Sequence, residues 1–595
     1  MRSGPPDQHG VGPGDEDPGL DRRAALARLG RETFDLVVIG GGITGAGVAL
    51  DAAARGLNTA LVERFDLASG TSSKSSKMVH GGLRYLQQHE FRLVYENLHE
   101  RQRLLVNAPH LVEPLPFLIP MFGSAGVVNT TVAKTYSTAL WLYDITGGWR
   151  IGKRHRRLSV DQVLDHMPAL RADRLTSGFL YYDARADDAR LTLTVALSAA
   201  ARGAAIATYS PVVSIIKDKA GKVAGVQITP HDVGDGRDGG AAEGRGGGEG
   251  DGSTITVRTR SVVNAAGVWA DDIRELDEGV HPRSIRPAKG VHITVASSKL
   301  ACDVAAVIPV PHDRRSIFVV PWGNEVYLGT TDTDYGGPLE DPECTPEDVE
   351  YILGAVNAFV TKPIEAADVT GTWAGLRPLA APKEGGAVDP GSRTADLSRR
   401  HRVRVSSSGL VSITGGKLTT YRAMAADATD AAVAQLRSGH RPLHSGRSRT
   451  KKLPLWGAEG TAQLRRPDAA RDHGIDAELL EHLVSRYGGH ALAVARLINS
   501  EAAWSLRLIP GQPYRAGEVI WSVRREMAQT VADVLARRTR ALLHDRLGAL
   551  RAAPQVAELM GAELNWDVEE QARQVKDFSE MAQREARAAG PTGGP

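Results

Sequence analysis

The sequence predicts an α/β protein with a mixed α+β substrate region and a helical domain at the carboxy terminus. Three observations carry this prediction. A glycine-rich turn joins an early apolar run to a helix of small residues. From Phe34 to about Tyr421, short β-like runs (FDLVVIG, NTALVE, SVVNAAG, SIFVVPW, EVYLGTT, GLVSITGG) are interspersed with helical patterns. Past Lys452 the apolar residues recur every three or four positions instead, as Ile520, Val523, Met527, Val531 and Val534 do, and Asp476 stands ready to cap a helix whose Leu479, Leu480, Leu483 and Val484 share one face.

In chain order, residues 1–30 read as a disordered Gly/Pro/Asp tail followed by a short helix at DRRAALARLGRE. Residues 31–440 form a body in which cofactor- and substrate-binding segments interleave, 441–452 a basic linker, and 453–595 the helical domain. Within the body, VAGVQIT and STITVRT flank a low-complexity stretch, 231–252, and predict a hairpin with an elongated loop dispensable for chemistry.

Composition narrows the function classes. The 595 residues are 42% hydrophobic and 24% charged, the balance of a folded, water-soluble protein. Lys and Arg total 72 against 70 Asp and Glu, without the basic excess of a phosphate-backbone binder, so nucleic acid is excluded as an expected partner. Cys302 and Cys344 are the only cysteines and form no CxxC. Neither a disulfide scaffold nor a metal cluster is expected, and a cytoplasmic setting fits. No signal-peptide core and no run of about 18 apolar residues occurs; peripheral attachment to a membrane, which needs only a local patch, stays open. The apolar stretches LPFLIPMF and LWLYDITGGW read either as core or as contacts to bilayer or quinone.

The chemistry begins at FDLVVIGGGITGAGVALDAAARGLNTALVE, where Gly40, Gly42 and Gly45 form GxGxxG between a strand and a helix. Gly40 permits the turn, Gly42 lets a pyrophosphate approach the backbone, and Gly45 lets helix and sheet pack closely. Glu63 ends the next strand, 18 residues past Gly45. A carboxylate there accepts hydrogen bonds from ribose hydroxyls and repels a 2′-phosphate, which selects FAD or NAD over NADP. No second complete GxGxxG follows, so one dinucleotide is expected, and the bulk of chain beyond it suits a flavin that stays bound. Ala265, Ala266 and Gly267 end another strand with small residues, as a backbone passing close to a dinucleotide requires.

IGGGITGAG, ASGTSSKSSKMVHGGLRYL, EFRLVYENLHER, APHLVEPLPFLIP, NAAGVWAD, KGVHITV, VVPWGNEVYLGTTDTDY, TWAGLRPL and GGKLTTYR, in that order, closely resemble the FAD-dependent glycerol-3-phosphate dehydrogenases. The likeness covers about Phe34 to Tyr421, and the helical tail is similar to that family's carboxy-terminal domain. It implies a Rossmann-type FAD-binding fold, oxidation of sn-glycerol 3-phosphate to dihydroxyacetone phosphate, quinone as electron acceptor, and rest on the inner membrane face. A homodimer stays open.

A phosphorylated secondary alcohol needs fixed cations. Arg84, Arg377 and Lys417 stand in glycine-rich, turn-like settings, and the resemblance turns all three toward the substrate; Arg399 is a further phosphate candidate. The leaving hydroxyl proton needs a base, for which His80 and His292 are the two candidates, in segments resembling the family's active site. The resemblance also assigns Thr71, Ser72 and Ser73 to a hydroxyl-bearing turn near the cofactor phosphates, with Lys77 just downstream and His80 among the cofactor contacts. Gly416, Leu418 and Thr419 join a strand to a probable helix whose amides suit the electron-rich edge of a flavin. Three other readings share these features: an oxidase delivering the electrons to oxygen, an FAD-dependent amine or amino-acid oxidoreductase, and a flavoprotein serving only as an interaction module. The stretch 334–371 is short for the mid-chain insertion of the related oxidases.

Overall fold

The computed structural model describes residues 19–82, 90–123, 140–141, 143, 151–231, 254–311, 315–381, 400–438 and 445–587. Arg84, Arg399, residues 1–18 of the tail and nearly all of 231–252 therefore lie outside the described residues, as does most of 140–149.

Three sheets build the body. The first has the strand order Arg402–Val405, Val411–Thr414, Val262–Asn264, Leu36–Ile39, Thr59–Val62, Ala205–Ala207. All its neighbours run parallel except the first pair. Its central strands are buried on both faces, which is why LVVI and TALV are continuous apolar runs rather than alternating ones. The helix Ile43–Ala54 connects two of them and is buried at nearly every position. Small residues make that possible: a Cβ on Gly47 would stand 2.8 Å from the Tyr421 ring of the adjoining helix Tyr421–Ser438.

The second sheet has ten strands. Its long strands Ile285–Ala296 and Val369–Ala380 pair antiparallel, placing Gly290 opposite Gly375 and Ala288 opposite Arg377. The LPFLIPMF run lies inside another of its strands, Val112–Phe122, with Phe117, Leu118 and Ile119 buried, so this stretch is core. A third, small sheet contains Val223–Ile228 and Ile255–Thr259, paired antiparallel as the sequence predicts for the arms of a hairpin.

Past residue 460 the chain is helical. Asp476 caps Ala477–Tyr487 by accepting from the Leu479 amide, and the predicted leucine and valine face is buried. The run from Ile520 to Val534 is not one helix. Ala516–Glu526 stops at Met527, which is left-handed at φ +58°, and the Asp533 carboxylate collects the amides of Gln529 and Thr530 before the π-helical turn Asp533–Arg538. Periodicity alone does not register such a break, because Val523 before it and Val531 and Val534 after it still face one core.

These helices reach back onto the body through buried ion pairs. Arg190 of the helix Asp188–Ala200 holds Glu526 with both guanidinium nitrogens, at 2.8 and 2.5 Å. Arg538 grips Asp66 at 2.5 and 2.8 Å, and Arg540 donates to the Ser73 carbonyl and to Asp188.

Candidate active site

A cavity of about 570 Å³ lies where the parallel sheet meets the ten-stranded one. At one end stand Gly40, Gly42 and Glu63. Gly40 has φ +109°, and a Cβ there would come within 2.7 Å of the Ala265 carbonyl oxygen; only glycine fits. Gly45 is not in the cavity wall. It sits beneath the turn, where a Cβ would overlap the Gly40 carbonyl oxygen, in keeping with a packing role. Gly42 caps the helix Ile43–Ala54, whose first amide, Ile43, donates to Ser72 Oγ at 2.9 Å. The helix dipole makes this end favourable for an anion.

Glu63 accepts from the Gly41 amide through one oxygen and from the Phe65 amide through the other. Its carboxyl is pushed up by burial, against the pull of those two amides. Each carboxylate oxygen has a further lone pair, so hydroxyl donors can still be accepted. Ala266, Gly267, Thr71 and Ser72 line the middle of the cavity, and Thr71 Oγ1 is tied to the Leu376 carbonyl at 2.6 Å. A glycine turn, a helix N-terminus, a strand-end carboxylate and small strand ends in one continuous cavity fit an adenine dinucleotide.

The other end is cationic. Arg377, on Val369–Ala380, lays its guanidinium over Gly290: a Cβ at that glycine would sit 2.5 Å from Nη2. Its Nη1 donates to Asp332 at 3.2 Å, and Nη2 to Thr330 Oγ1 at 3.0 Å and the Thr331 carbonyl at 3.2 Å. The strand pairing thus aims the arginine, and the carboxylate holds it. Lys417 follows two glycines with positive φ, Gly415 and Gly416, and precedes the 3-10 turn Leu418–Thr420; with Gly416, Leu418 and Thr419 it lines the same cavity.

Both candidate bases line it too. The His80 amide donates to Thr419 Oγ1 at 3.3 Å. His292 is only 2% exposed, stacked on Trp373 at 4.7 Å and 9°, with Nε2 2.8 Å from Ser76 Oγ. Burial, with the nearby positive charges of Lys77 and Arg377, holds this imidazole well below its ordinary pKa, so it is neutral at physiological pH.

Two expected cofactor contacts point elsewhere. Lys77 turns its ammonium away, to Asp188 Oδ1 at 3.1 Å and the Ser73 carbonyl at 3.3 Å, over the Trp373 ring; burial first, then Arg540, pushes it down to about 8. Ser73 is buried and faces a second cavity under the carboxy-terminal helices, its Oγ directed to Gly70. A Lys downstream of a phosphate-binding turn looks like an anion contact in sequence, but its acid partner, Asp188, is more than a hundred residues away. Sequence reasoning also passes over Asp332, Ser76 and Trp373, which stand in quoted motifs (TTDTDY, SSKSSK, TWAGL) without any spacing rule to mark them.

Comparison with known proteins agrees with this arrangement. Residues 35–422 match the FAD dependent oxidoreductase family, and 448–571 match the C-terminal domain of alpha-glycerophosphate oxidase. The chain is 40% identical over 573 residues to a glycerol-3-phosphate dehydrogenase of Mycobacterium leprae, covering 95% of this chain and 90% of that one. It is 37% identical over 564 residues to the human mitochondrial glycerol-3-phosphate dehydrogenase, covering 92% and 73%. The structure of the Bacillus halodurans glycerol-3-phosphate dehydrogenase complexed with FAD superposes with a TM-score of 0.72 at 32% identity, over 95% of this chain and 97% of that one. On the match over most of its length and on the cavity that joins a dinucleotide turn to a cationic end, the chain belongs to the FAD-dependent glycerol-3-phosphate dehydrogenase family.

Proposed function

We propose that this flavoenzyme takes the hydroxyl proton of sn-glycerol 3-phosphate onto His292, holds the phosphate and the developing oxygen charge with Arg377 and Lys417, and delivers the electrons to a quinone. The observation that carries the reading is the single cavity in which a neutral, buried imidazole and two cations share walls with the dinucleotide turn. FAD, when bound, supplies the hydride acceptor. The chain's residues do the rest. His292 is preferred to His80 because it is neutral and buried, its ring fixed by stacking on Trp373. Arg377, braced by Asp332, presents a planar fork suited to phosphate oxygens, and Lys417 a compact charge. Arg84 and Arg399 join the phosphate set by resemblance.

The quinone part is supported by the family resemblance and by the short stretch 334–371. Anaerobic addition of glycerol 3-phosphate should bleach the yellow protein, and a quinone analogue should restore the colour faster than air does. Fast reoxidation in air with stoichiometric hydrogen peroxide would make it an oxidase, and bleaching by an amino acid but not by glycerol 3-phosphate would overturn the substrate. A colourless protein after reconstitution would overturn the whole reading.

Peripheral membrane contact belongs to the same proposal. Among the described residues no helix is long and apolar enough to cross a membrane. Phe91, Tyr95 and Trp141 are about half exposed, with Lys153, Arg154, Arg156 and Arg157 exposed further along the chain. Aromatic and basic groups of this kind favour an anionic lipid surface. Sedimentation with anionic vesicles tests the contact, and light scattering tests the homodimer.

A further inference from the structure

We propose that the carboxy-terminal helical domain sets how tightly the protein keeps its FAD: Asp66, Arg537, Arg538 and Arg540 are positioning residues that hold the loop after Glu63 in the shape in which Ser69, Gly70, Thr71 and Ser72 wall the dinucleotide cavity. This rests on the family and the cavity, and is independent of which residue takes the substrate's proton.

Two anchors bracket the loop. At its start Asp66, wholly buried, accepts through Oδ2 from Arg537 Nε and Arg538 Nη1, each at 2.5 Å, and through Oδ1 from Arg538 Nη2 at 2.8 Å. At its end the Ser73 carbonyl accepts from Arg540 Nη2 at 2.8 Å. The four residues Ser69 to Ser72 between these anchors line the cavity, whereas Asp66 and the three arginines do not. Fixing Asp66 fixes the entry to the turn, because its carbonyl accepts from the Ser69 amide at 3.2 Å while the Ala68 amide reaches the Gly41 carbonyl at 3.1 Å. Ala68 itself is left-handed at φ +63°, a conformation that a residue with a Cβ keeps only where its surroundings hold it there. At the far side Ser72 Oγ accepts from the Ile43 amide at 2.9 Å, so the loop's shape is passed on to the start of the helix behind the glycine turn.

The hold comes from one short piece of the helical domain. Arg537 and Arg538 end the π-helical turn Asp533–Arg538, an irregularity that recurs at functional sites, and Arg540 follows at φ +66°. Asp533, at the start of that turn, accepts from Arg537 and from Tyr209 Oη at 2.8 Å, and the Tyr209 amide donates to the Phe65 carbonyl at 3.0 Å. The residue before Asp66 is thus tied to the same turn. Burial alone would raise the Asp66 carboxyl, but Arg538 and Arg537 reverse this and hold it below its ordinary value, so the anchor is a charge-assisted one. A loop released from such anchors must be ordered anew each time FAD binds, and that conformational cost is subtracted from the affinity. Because the clamp lies outside the cavity wall, its loss is read in cofactor retention before it is read in chemistry.

The test is the release of FAD from the loaded protein after large dilution, followed by the rise in flavin fluorescence, with unfolding followed separately by far-ultraviolet circular dichroism. Arg537→Met removes one bond to Asp66 and leaves the Arg538 fork; it should release FAD about 10-fold faster than the parent. Arg538→Met removes the fork and should release it about 100-fold faster, with Arg538→Lys, which keeps the charge, between the two. Val556→Ala opens a gap in the core of the same domain outside these contacts, and should lower the unfolding temperature while leaving FAD release unchanged. Where Arg538→Met does not fold, Arg537→Met decides alone, since Asp66 keeps both bonds to Arg538. Unchanged FAD release in Arg537→Met, or release accelerated as much by Val556→Ala as by Arg537→Met, overturns the proposal.

Discussion

The cavity end and the helical clamp solve opposite problems with opposite materials. The dinucleotide end is walled by glycines, strand ends and backbone amides, drawn from the turn and strand between Gly40 and Glu63 and from the strand end at Ala265 to Gly267. The contact between the body and the carboxy-terminal helices is held by charged pairs separated by hundreds of residues, such as Arg190 with Glu526 and Arg538 with Asp66. Backbone must face a ligand from many directions, so the first region needs residues that take up no space. The second has no ligand to admit and can bury long side chains, provided that each charge meets its opposite. The two are joined through the segment after Glu63, since Asp66 and the Ser73 carbonyl are what Arg538 and Arg540 hold.

The largest effect is expected from breaking one of those pairs. Arg190→Met should destabilise the protein by about 3 kcal/mol, because buried Glu526 loses its bidentate partner and keeps only the more distant Arg538 Nε, at 3.9 Å, and the Trp521 Nε1 donor. Adding Glu526→Leu should recover most of that loss, since a well-packed apolar pair removes the poorly compensated charge. Denaturant unfolding of both variants decides it; a double variant as unstable as the single one would show that the clamp depends on the charges for more than their mutual neutralisation.

At the other end, Arg377→Ala and Lys417→Ala should each lower kcat/KM for glycerol 3-phosphate about 10²- to 10³-fold while the protein stays yellow, because they remove charge stabilisation without touching the dinucleotide turn. Unaltered kinetics in both would refute their roles. Equal loss of FAD and activity would mean that the two ends of the cavity do not divide their labour as the comparison holds.

The same contrast explains what could be read from the chain. Gly40, Gly42, Gly45 and Glu63 were legible because a strand–turn–helix fixes their spacing locally, whatever the rest of the fold does. That Arg377 and Lys417 line the same cavity was foreshadowed by their glycine neighbours and the family motifs. Lys77 was misleading for the reason that the clamp was invisible: its fate is decided by Asp188 and Arg540, and no local pattern announces a pairing over that distance. Asp332 and Ser76 hydrogen-bond to other side chains of the cavity wall, contacts that appear only when the fold places them against Arg377 and His292. The end of the Ala516–Glu526 helix was hidden because Met527 is apolar and fits the periodic pattern while its backbone leaves the helix.

A pH experiment sharpens the picture of the clamp side. Glu518 is fully buried; burial would raise its carboxyl, but His482, with Arg486 and the Arg515 amide, more than offsets this and holds it at about 2, below its ordinary 4.5. A folded-state value below the unfolded one contributes stability that is fully present above about pH 4.5 and is lost as pH falls through about 2. The whole contribution is on the order of 3 kcal/mol. Glu518→Gln should therefore be less stable than the parent at pH 6, with the gap closing as the pH approaches 2.5. A gap of constant size would mean that the hydrogen bonds to Tyr487 and His482, rather than the charge, carry the effect.

The smallest effect is expected where neither kind of construction operates. The arms Val223–Ile228 and Ile255–Thr259 close in register at Ile228 and Ile255, so the pairing is complete before the low-complexity connection begins. Deleting 233–251 leaves seven residues between the arms, and for a flexible connection this lowers the closure entropy enough to stabilise the protein by about 1 kcal/mol. Retaining His231 matters, because its carbonyl accepts from Arg22 at 2.9 Å and so ties the first helix to this sheet. Turnover with glycerol 3-phosphate should stay within about twofold of the parent, since neither arm contributes a cation or hydroxyl to the substrate end of the cavity. A loss as deep as that of Arg377→Ala would place part of the deleted segment in the site, and the division between backbone-built cavity and charge-built clamp would then need a third component.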